Sequence, residues 1–289
     1  MASTDNSLSP KIHVNDYLIA TILGVVEGLT EFLPVSSTAH IRISQQLLNV
    51  DLSSNYWKMF AIVIQLGAIL SVLVYFRRRI IKFVKCYPRG KSGTRTWWNH
   101  PLALVFISFV VTAVPCYLID DQIGENLENF YVIGWALVLG GIVMWAVDRV
   151  CSSRVSTEHM DDMTLGQSIV IGFTQIFAAA FPGLSRSMST IAGGQAMGLS
   201  RSAALEFSFF LSIPVMFAAT SFKLLQFMVK NPEPMNFHEL GVLAVGFSTS
   251  FIVALAVIAW FMVWVRKHGF TLFAIYRLIV GAATLIWLT

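Results

Sequence analysis

The sequence predicts an all-α polytopic membrane protein that forms an inverted-topology repeat, with six transmembrane helices and two re-entrant helix-break-helix hairpins. Composition is the first observation: 56% of the residues are hydrophobic and 12% are charged, whereas soluble domains carry about 25% charged residues. The second is that long apolar runs recur along the chain. The third is that two other apolar segments are each interrupted at their centre by proline and small polar residues. We predict a single membrane domain over residues 1–289.

Six apolar runs reach the length of about 20 residues that a membrane-spanning helix needs. They are residues 57–76, 101–119, 130–148, 204–228, 239–264 and 270–288. Eight Lys and Arg residues lie within 77–95, and the segment 120–129 is acidic. Because basic loops favour the cytoplasm, we expect the first loop inside and the second outside. We favour this interpretation of the basic loop over a nucleic-acid-binding patch and expect no nucleic-acid partner.

Two further segments, 17–48 and 165–198, are apolar but contain a break that begins at Pro34 in one and at Pro182 in the other. Proline removes a backbone donor, and the residue before it avoids the helical conformation. Inside a membrane, broken backbone is tolerated only where protein or water satisfies it. We therefore predict two re-entrant hairpins whose tips meet, with an ordinary kinked span as the alternative.

The two broken segments are related as a repeat. Pro34 and Pro182 differ by 182 − 34 = 148 positions. The same offset pairs Gly24 with Gly172, Ser37 with Ser185, and Glu27 with Gln175. A hairpin followed by three spans occurs twice, in residues 17–150 and 164–289, and an odd number of spans inverts the second unit. Inverted repeats place functional sites at their interface, where broken helices lie near the middle of the membrane.

The first tip carries two carboxylates and a histidine. Glu27 and Glu31 are four residues apart and share one helix face. Ionisable groups in a membrane usually mark a substrate or ion pathway. A pair of carboxylates can bind a hard cation or act as a general base. The alternative is that both carboxylates form hydrogen bonds with the broken backbone. Ser36, Ser37 and His40 follow the break. The two serine hydroxyls could cap the next helix. Alternatively, because they lie near the imidazole and the carboxylates, one of them could act as a nucleophile.

The second tip carries Arg186 among hydroxyl side chains, including Ser185 and Thr190. A permanent cation at membrane depth needs an anion, and the amides at the start of a helix also favour anions. The tip is therefore predicted to bind phosphate, with a salt bridge from Arg186 to Glu27 or Glu31 as the alternative. We interpret Arg277, which lies in an apolar run far from both tips, as a tie between helices.

The motifs EGLTEFLPVSSTAH (27–40) and PGLSRSMST (182–190) closely resemble the two signature motifs of the undecaprenyl-diphosphate phosphatase family, the bacitracin-resistance phosphatases of bacterial inner membranes. The resemblance covers nearly the whole chain and includes VIQLGAI (63–69) and EFSFFLSIPVM (206–216). It implies hydrolysis of undecaprenyl diphosphate to undecaprenyl phosphate and phosphate, which recycles the lipid carrier for peptidoglycan and other envelope polymers. It also implies a site that opens to the periplasm or cell exterior and a divalent cation, Mg²⁺ or Ca²⁺.

The resemblance assigns roles to individual residues. The family's glutamate pair, with metal-binding and catalytic roles, falls on Glu27 and Glu31. Its catalytic serine and histidine fall on Ser37 and His40. The substrate-binding set falls on four residues of the two tips: Ser36, Ser185, Arg186 and Thr190. The chain departs from the family pattern at Ala39, where a glycine is common, and at Ala61, where a glutamate is often found; the second departure puts metal affinity in doubt.

We predict Ser37 as nucleophile with Glu31 as its base, Glu27 as metal ligand or assistant, and His40 as the group that orients the nucleophile or protonates the leaving oxygen. His40 as nucleophile and metal-activated water are alternatives. The expected partners are a polyprenyl diphosphate, membrane lipids and a second copy of the chain in a homodimer. The alternative function is a transporter or flippase of an anionic lipid or phosphorylated substrate, because inverted repeats and broken helices also suit carriers.

Overall fold

The computed structural model describes residues 15–88, 97–118, 129–230 and 235–289. Within these ranges the chain forms eleven α-helices and no β-strand. They are α1 Asp16–Thr30, α2 Ser37–Leu47, α3 Asn55–Tyr75, α4 Arg77–Cys86, α5 Pro101–Leu118, α6 Phe130–Cys151, α7 Leu165–Ala180, α8 Arg186–Ala196, α9 Arg201–Lys230, α10 Phe237–His268 and α11 Thr271–Trp287. The second half of the basic loop, 89–95, and residues 120–128 of the acidic loop lie outside the described residues.

Five of the described helices, α3, α5, α6, α9 and α10, are long and apolar enough to cross a membrane. They coincide with the first five predicted spans, and the all-helical polytopic membrane class is therefore confirmed. The sixth predicted span, 270–288, forms the apolar helix α11 of 17 residues. At about 1.5 Å per residue it reaches about 26 Å, slightly less than the roughly 30 Å of a bilayer core.

Residues 77–86 form the helix α4, although the sequence analysis treated them as part of a loop. The helix is amphipathic, because Phe83 is buried while the neighbouring basic side chains are exposed or half-buried. The Phe83 ring packs edge-on against Phe210 of α9, with centroids 5.6 Å apart. Arg79 forms ion pairs with Glu206 of α9 and with Asp161. The basic segment is thus fixed to the protein and is not a free loop.

Both predicted breaks occur, and they share one local geometry. Ser36 has φ 74° and caps α2, where its hydroxyl accepts a hydrogen bond from the backbone N–H of Ala39. Ser185 has φ 75° and caps α8, where its hydroxyl accepts one from the N–H of Met188. Positive φ is uncommon for a residue other than glycine, so its occurrence at both caps indicates a shared turn. Each of the two helices that follow has 11 residues.

The capping positions align the two tips with an offset that differs by one residue from the offset between the prolines. Helices α2 and α8 begin at Ser37 and Arg186, which differ by 186 − 37 = 149 positions. The prolines differ by 148, because the second tip has one additional residue between its proline and its capping serine. The structural counterpart of Ser185 is therefore Ser36, and the counterpart of Ser37 is Arg186.

Close helix contacts link the first half of the chain to the second. Helices α1 and α3 pack on α10, α7 packs on α5, and α6 packs on α11. Glycine permits the closest approaches, since a Cβ at Gly67 would lie 2.5 Å from the carbonyl oxygen of Phe247 on α10. Hydroxyls add bonds across the same contacts. Ser250 of α10 donates to the carbonyl oxygen of Ile64 at 2.8 Å, and Ser108 of α5 donates to that of Ser168 at 2.6 Å.

We expect Gly67→Ala to lower the midpoint of thermal unfolding in detergent, because the new methyl group meets backbone that cannot rotate away. Overpacking of this kind usually destabilises a protein by about 1–3 kcal/mol. The matched control is Gly166→Ala in α7, where a Cβ would meet nothing within 4 Å. Alanine favours helix over glycine, so the control should unfold at or slightly above the wild-type temperature. Equal midpoints for both variants would contradict the close contact between α3 and α10.

Candidate active site

The two tips meet through an ion pair. Arg186, the first residue of α8, places Nη2 3.1 Å from Oε1 of Glu31, the C-cap residue that follows α1. The second carboxylate oxygen of Glu31 accepts a hydrogen bond of 2.5 Å from the hydroxyl of Ser37, the first residue of α2. Glu31 therefore links the cation of one tip to the hydroxyl of the other. This is the salt bridge that the sequence analysis gave as the alternative for Arg186.

Further hydrogen bonds hold the tips in register. The Ser187 hydroxyl donates to the carbonyl oxygen of Leu33 at 3.0 Å and so connects the second tip to the first. Arg186 Nη1 donates to the carbonyl oxygen of Ser208 on α9 at 3.2 Å. Thr190 is fully buried, and its hydroxyl lies 2.7 Å from that of Ser208. Thr190 thus lies behind Arg186 and fixes α8 against α9.

Arg277 ties both tips to the rest of the fold, as the sequence analysis predicted for a residue far from either motif. Its side chain is fully buried. The guanidinium donates to the carbonyl oxygens of Pro34 at 3.2 Å, Ala136 at 3.1 Å and Gly183 at 3.0 Å. Pro34 belongs to the first break and Gly183 to the second. One side chain of α11 therefore satisfies backbone acceptors in both tips, where the broken helices leave carbonyl groups without helical partners.

His40 is fixed at both ring nitrogens. Nδ1 lies 2.7 Å from the carbonyl oxygen of Ser36, which can only accept, so Nδ1 carries the proton. Nε2 lies 2.7 Å from the hydroxyl of Tyr276, and the two rings stack with centroids 5.5 Å apart. Because neutral Nε2 accepts from this hydroxyl, the ring has no nitrogen left for a substrate in this arrangement. The contacts suit an orienting role better than a nucleophilic one.

Glu27 is fully buried, and no donor in the described ranges makes a hydrogen bond to either of its carboxylate oxygens. It lies one helical turn before Glu31 on α1. A buried carboxylate without a partner is unfavourable. The position therefore calls for a proton or a cation as a partner.

A cavity of about 470 Å³ opens beside the contact between the tips. Five of the eight predicted site residues line it: Glu31, Ser36, Ser37, Ser185 and Arg186. The other three, Glu27, His40 and Thr190, lie outside its lining. The walls are mainly apolar and come from α5, α7 and α9, and they continue along α9 as far as Lys223. An apolar cleft with a few convergent polar groups is typical of a ligand site.

Sequence reasoning missed three residues of this site. Gln175 of α7 lines the cavity, and its pairing with Glu27 at the offset of 148 could have identified it. Ser208 and Tyr276 contact the predicted residues from α9 and α11. They come from helices remote in sequence, and no local motif marks them.

Within the part of the chain that the structure describes, no group of three or more His, Cys, Asp or Glu side chains is placed to hold a metal ion. The acidic groups at the tips are the pair Glu27 and Glu31. Any cation at this pair would need further oxygen ligands from hydroxyls, water or substrate.

Comparison with known proteins gives one family. The family model described as Bacitracin resistance protein BacA matches residues 20–283. A protein of Koribacter versatilis (strain Ellin345) named undecaprenyl-diphosphatase is 54% identical over 282 residues, which cover 95% of this chain and 99% of the relative. The proteins of the same name from Thermoanaerobacter sp. (strain X514) and Bdellovibrio bacteriovorus are 43% and 36% identical. The matches cover 91% and 94% of this chain, and 93% and 96% of those relatives. With a family match across nearly its whole length, the chain belongs to the bacitracin resistance protein BacA family.

Proposed function

We propose that this protein is an integral membrane phosphatase that hydrolyses undecaprenyl diphosphate to undecaprenyl phosphate and inorganic phosphate. The reaction recycles the lipid carrier for peptidoglycan and other envelope polymers, and it accounts for bacitracin resistance. The observation that carries the proposal is the sequence of contacts from Arg186 through Glu31 to Ser37 at the wall of the cavity. A guanidinium, a carboxylate and a hydroxyl provide an anion site, a base and a nucleophile.

Ser37 is the proposed nucleophile, because its hydroxyl already donates to Glu31. Its Oγ attacks the terminal phosphorus while Glu31 accepts the proton. The bond from that phosphorus to the bridging oxygen breaks, and undecaprenyl phosphate leaves. Water then hydrolyses the phosphoserine, which releases inorganic phosphate and restores the hydroxyl. Positioning and charge stabilisation supply most of the rate in phosphoryl transfer, and this is the work assigned to Arg186 and the amides at the start of α8.

Arg186 forms an ion pair with Glu31. A bound diphosphate competes with Glu31 for the guanidinium. When the Arg186–Glu31 ion pair breaks, the Glu31 carboxylate interacts with Ser37 alone. Substrate binding therefore frees Glu31 to act as the base. His40 supports this arrangement from behind through the Ser36 carbonyl and Tyr276.

A divalent cation, Mg²⁺ or Ca²⁺, fits the donors present. Glu27 offers two buried carboxylate oxygens without partners, and Glu31 lies one turn away. These are the hard oxygen ligands that both ions prefer. When bound, the ion would supply positive charge to neutralise the diphosphate. Ala61, where the family often has glutamate, packs on an apolar cluster around Phe60 and lies outside the cavity lining.

An inverted repeat with two re-entrant hairpins accounts for the helix arrangement. Helix α1 has 15 residues and α7 has 16, or about 22–24 Å, which is short for a bilayer core of about 30 Å. Each ends at a break with the same capping geometry. The packing is reciprocal, with α1 on α10 of the second half and α7 on α5 of the first. These features support repeats over 17–150 and 164–289.

The proposed location is the bacterial inner membrane, with the cavity open to the periplasm or cell exterior. The cavity extends along α9 from the tips towards Lys223, near the end of the helix at Lys230. The opposite end of α9 begins at Arg201, which pairs with Asp148 of α6. Basic residues concentrate at that end, which supports a cytoplasmic position for it. A homodimer stays a prediction.

We expect the wild-type protein to release phosphate from a polyprenyl diphosphate in detergent, and we expect EDTA to abolish this activity. Arg186→Ala should lower the rate about 100-fold or more, because removal of one charge-stabilising donor has effects of this order. Lys267→Ala is the matched control, because Lys267 is exposed at the far end of α10, and it should keep wild-type turnover. A folded wild-type protein that binds the lipid without releasing phosphate would support the carrier instead, to be tested by flux in proteoliposomes.

Glu31→Gln should reduce turnover by about 10² to 10⁴, the usual contribution of a general base. The amide keeps the size of the side chain but accepts the Ser37 proton poorly. Glu239→Gln serves as control, because Glu239 caps the start of α10 far along the chain from the tips. Near-normal turnover of Glu31→Gln in a single-turnover assay would remove Glu31 from the role of base.

The direction of the cavity can be measured with Cys116, which lines it. Cys86 ends α4 and Cys151 ends α6, both beside basic residues. In the Cys86→Ser/Cys151→Ser variant, a membrane-impermeant maleimide should label Cys116 in intact cells or spheroplasts. The variant that retains only Cys151 should label after permeabilisation alone. Labelling of Cys116 that also requires permeabilisation would place the opening on the cytoplasmic side.

A further inference from the structure

Gln175 of α7 is a buried amide with no hydrogen-bond partner. Its side chain is 2% exposed and lines the cavity. Neither Nε2 nor Oε1 has a partner among the described residues. Buried amides are nearly always hydrogen-bonded, and an orphaned polar group costs about 1–3 kcal/mol. A residue of this kind calls for a ligand that the protein alone does not provide.

The surroundings of Gln175 do not supply that partner. Ala178 and Ala179, which follow one turn later on α7, also line the cavity, and their methyl groups offer no hydrogen bond to the amide. Thr112 of α5 also lines the cavity, but its hydroxyl donates to the carbonyl oxygen of Gly172 at 2.8 Å. The cavity itself is therefore the source of a partner for Gln175.

A second donor at the same cavity is also unsatisfied. Arg186 uses Nη1 and Nη2 for Ser208 and Glu31, whereas its Nε has no acceptor within the described ranges. Two buried N–H donors without acceptors thus belong to side chains that line one cavity. An oxyanion with several oxygens is the kind of acceptor that N–H donors of this type bind.

Gln167 shows that an unpartnered glutamine is not a general property of α7. It is also buried on this helix, and both ends of its side chain are engaged. Oε1 accepts from the backbone N–H of Thr164 at 2.9 Å, and Nε2 donates to the Thr157 hydroxyl and the Met197 carbonyl oxygen, each at 3.0 Å. One glutamine of α7 is therefore structural, while the other lines the cavity without a hydrogen-bond partner among the described residues.

We propose that Gln175 is a phosphate-binding residue of the cavity, whose Nε2 donates a hydrogen bond to a phosphoryl oxygen of the bound diphosphate beside Arg186 Nε. This inference rests on the proposed function and adds a subsite to it. The repeat explains the residue type. Gln175 is the counterpart of Glu27 at the offset of 148. A carboxylate at this wall would repel phosphate, whereas the neutral amide can donate a hydrogen bond to it. The first repeat therefore carries the cation ligand, Glu27, and the second carries the anion donor, Gln175.

The test compares Gln175→Leu, Gln175→Glu and the control Gln167→Leu in full-length protein. The readouts are half-saturation and turnover with a polyprenyl diphosphate, and the rise in unfolding temperature caused by inorganic pyrophosphate. Gln175→Leu removes an unsatisfied group, so without ligand it should unfold at or above the wild-type temperature. Its half-saturation should rise by on the order of tenfold to 100-fold, the range for loss of a hydrogen bond to a charged group. The response to pyrophosphate should shrink with it.

Gln175→Glu should bind pyrophosphate more weakly still, because the added charge repels the anion. Gln167→Leu should unfold at a lower temperature but keep wild-type half-saturation. The proposal would be overturned if Gln175→Leu kept the wild-type half-saturating substrate concentration and the wild-type rise in unfolding temperature with pyrophosphate. It would also be overturned if Gln175→Leu unfolded at a lower temperature while its half-saturating concentration and turnover stayed unchanged. If the wild type released no phosphate but pyrophosphate still stabilised it through Gln175, the proposed function would fail while the anion subsite stood.

Discussion

Two interrupted backbones inside an apolar protein impose the constraint on which the site depends. Each break leaves carbonyl and amide groups without helical partners, and a membrane offers no water to satisfy them. Ser36 and Ser185 cap the helices that follow. Arg277 donates to backbone carbonyls of both tips, and Ser187 joins one tip to the other. The polar side chains at the tips thus satisfy the backbone first, and the same bonds bring Arg186 within reach of Glu31.

Three of the side chains that carry buried polar atoms without a partner lie at the two tips and the cavity, and others, such as Gln45, lie elsewhere in the described residues. Glu27, Gln175 and the Nε of Arg186 are buried without partners, although hydrogen-bonded polar groups surround them. Such groups reduce the stability of the free protein, and they persist where a ligand completes them. Their chemistry divides between the repeats. The first tip offers carboxylate oxygens and the second offers N–H donors, which is the chemistry that the proposed diphosphate and divalent cation would require.

The local pattern predicted much of the fold. Apolar runs located five spanning helices, because length and composition decide whether a segment can cross a membrane. Proline and serine located both breaks, because they act on the adjacent backbone. The pattern did not reveal the helix over Arg77–Cys86, whose formation depends on Phe83 packing against Phe210. The offset between the prolines pairs Ser37 with Ser185, whereas the capping positions pair Ser36 with Ser185.

Sequence alone determined the membrane class, the two tips and the residue types that they carry, because these follow from hydropathy and from motifs contiguous in the chain. Only the tertiary structure decided how those residues are divided. It placed Glu31, Ser37 and Arg186 on the cavity wall but Glu27, His40 and Thr190 behind it. It also brought Gln175, Ser208 and Tyr276 to the site from distant helices. The reason is physical: which side of a buried helix faces a cavity depends on the helices packed around it, and no short stretch of sequence encodes that packing.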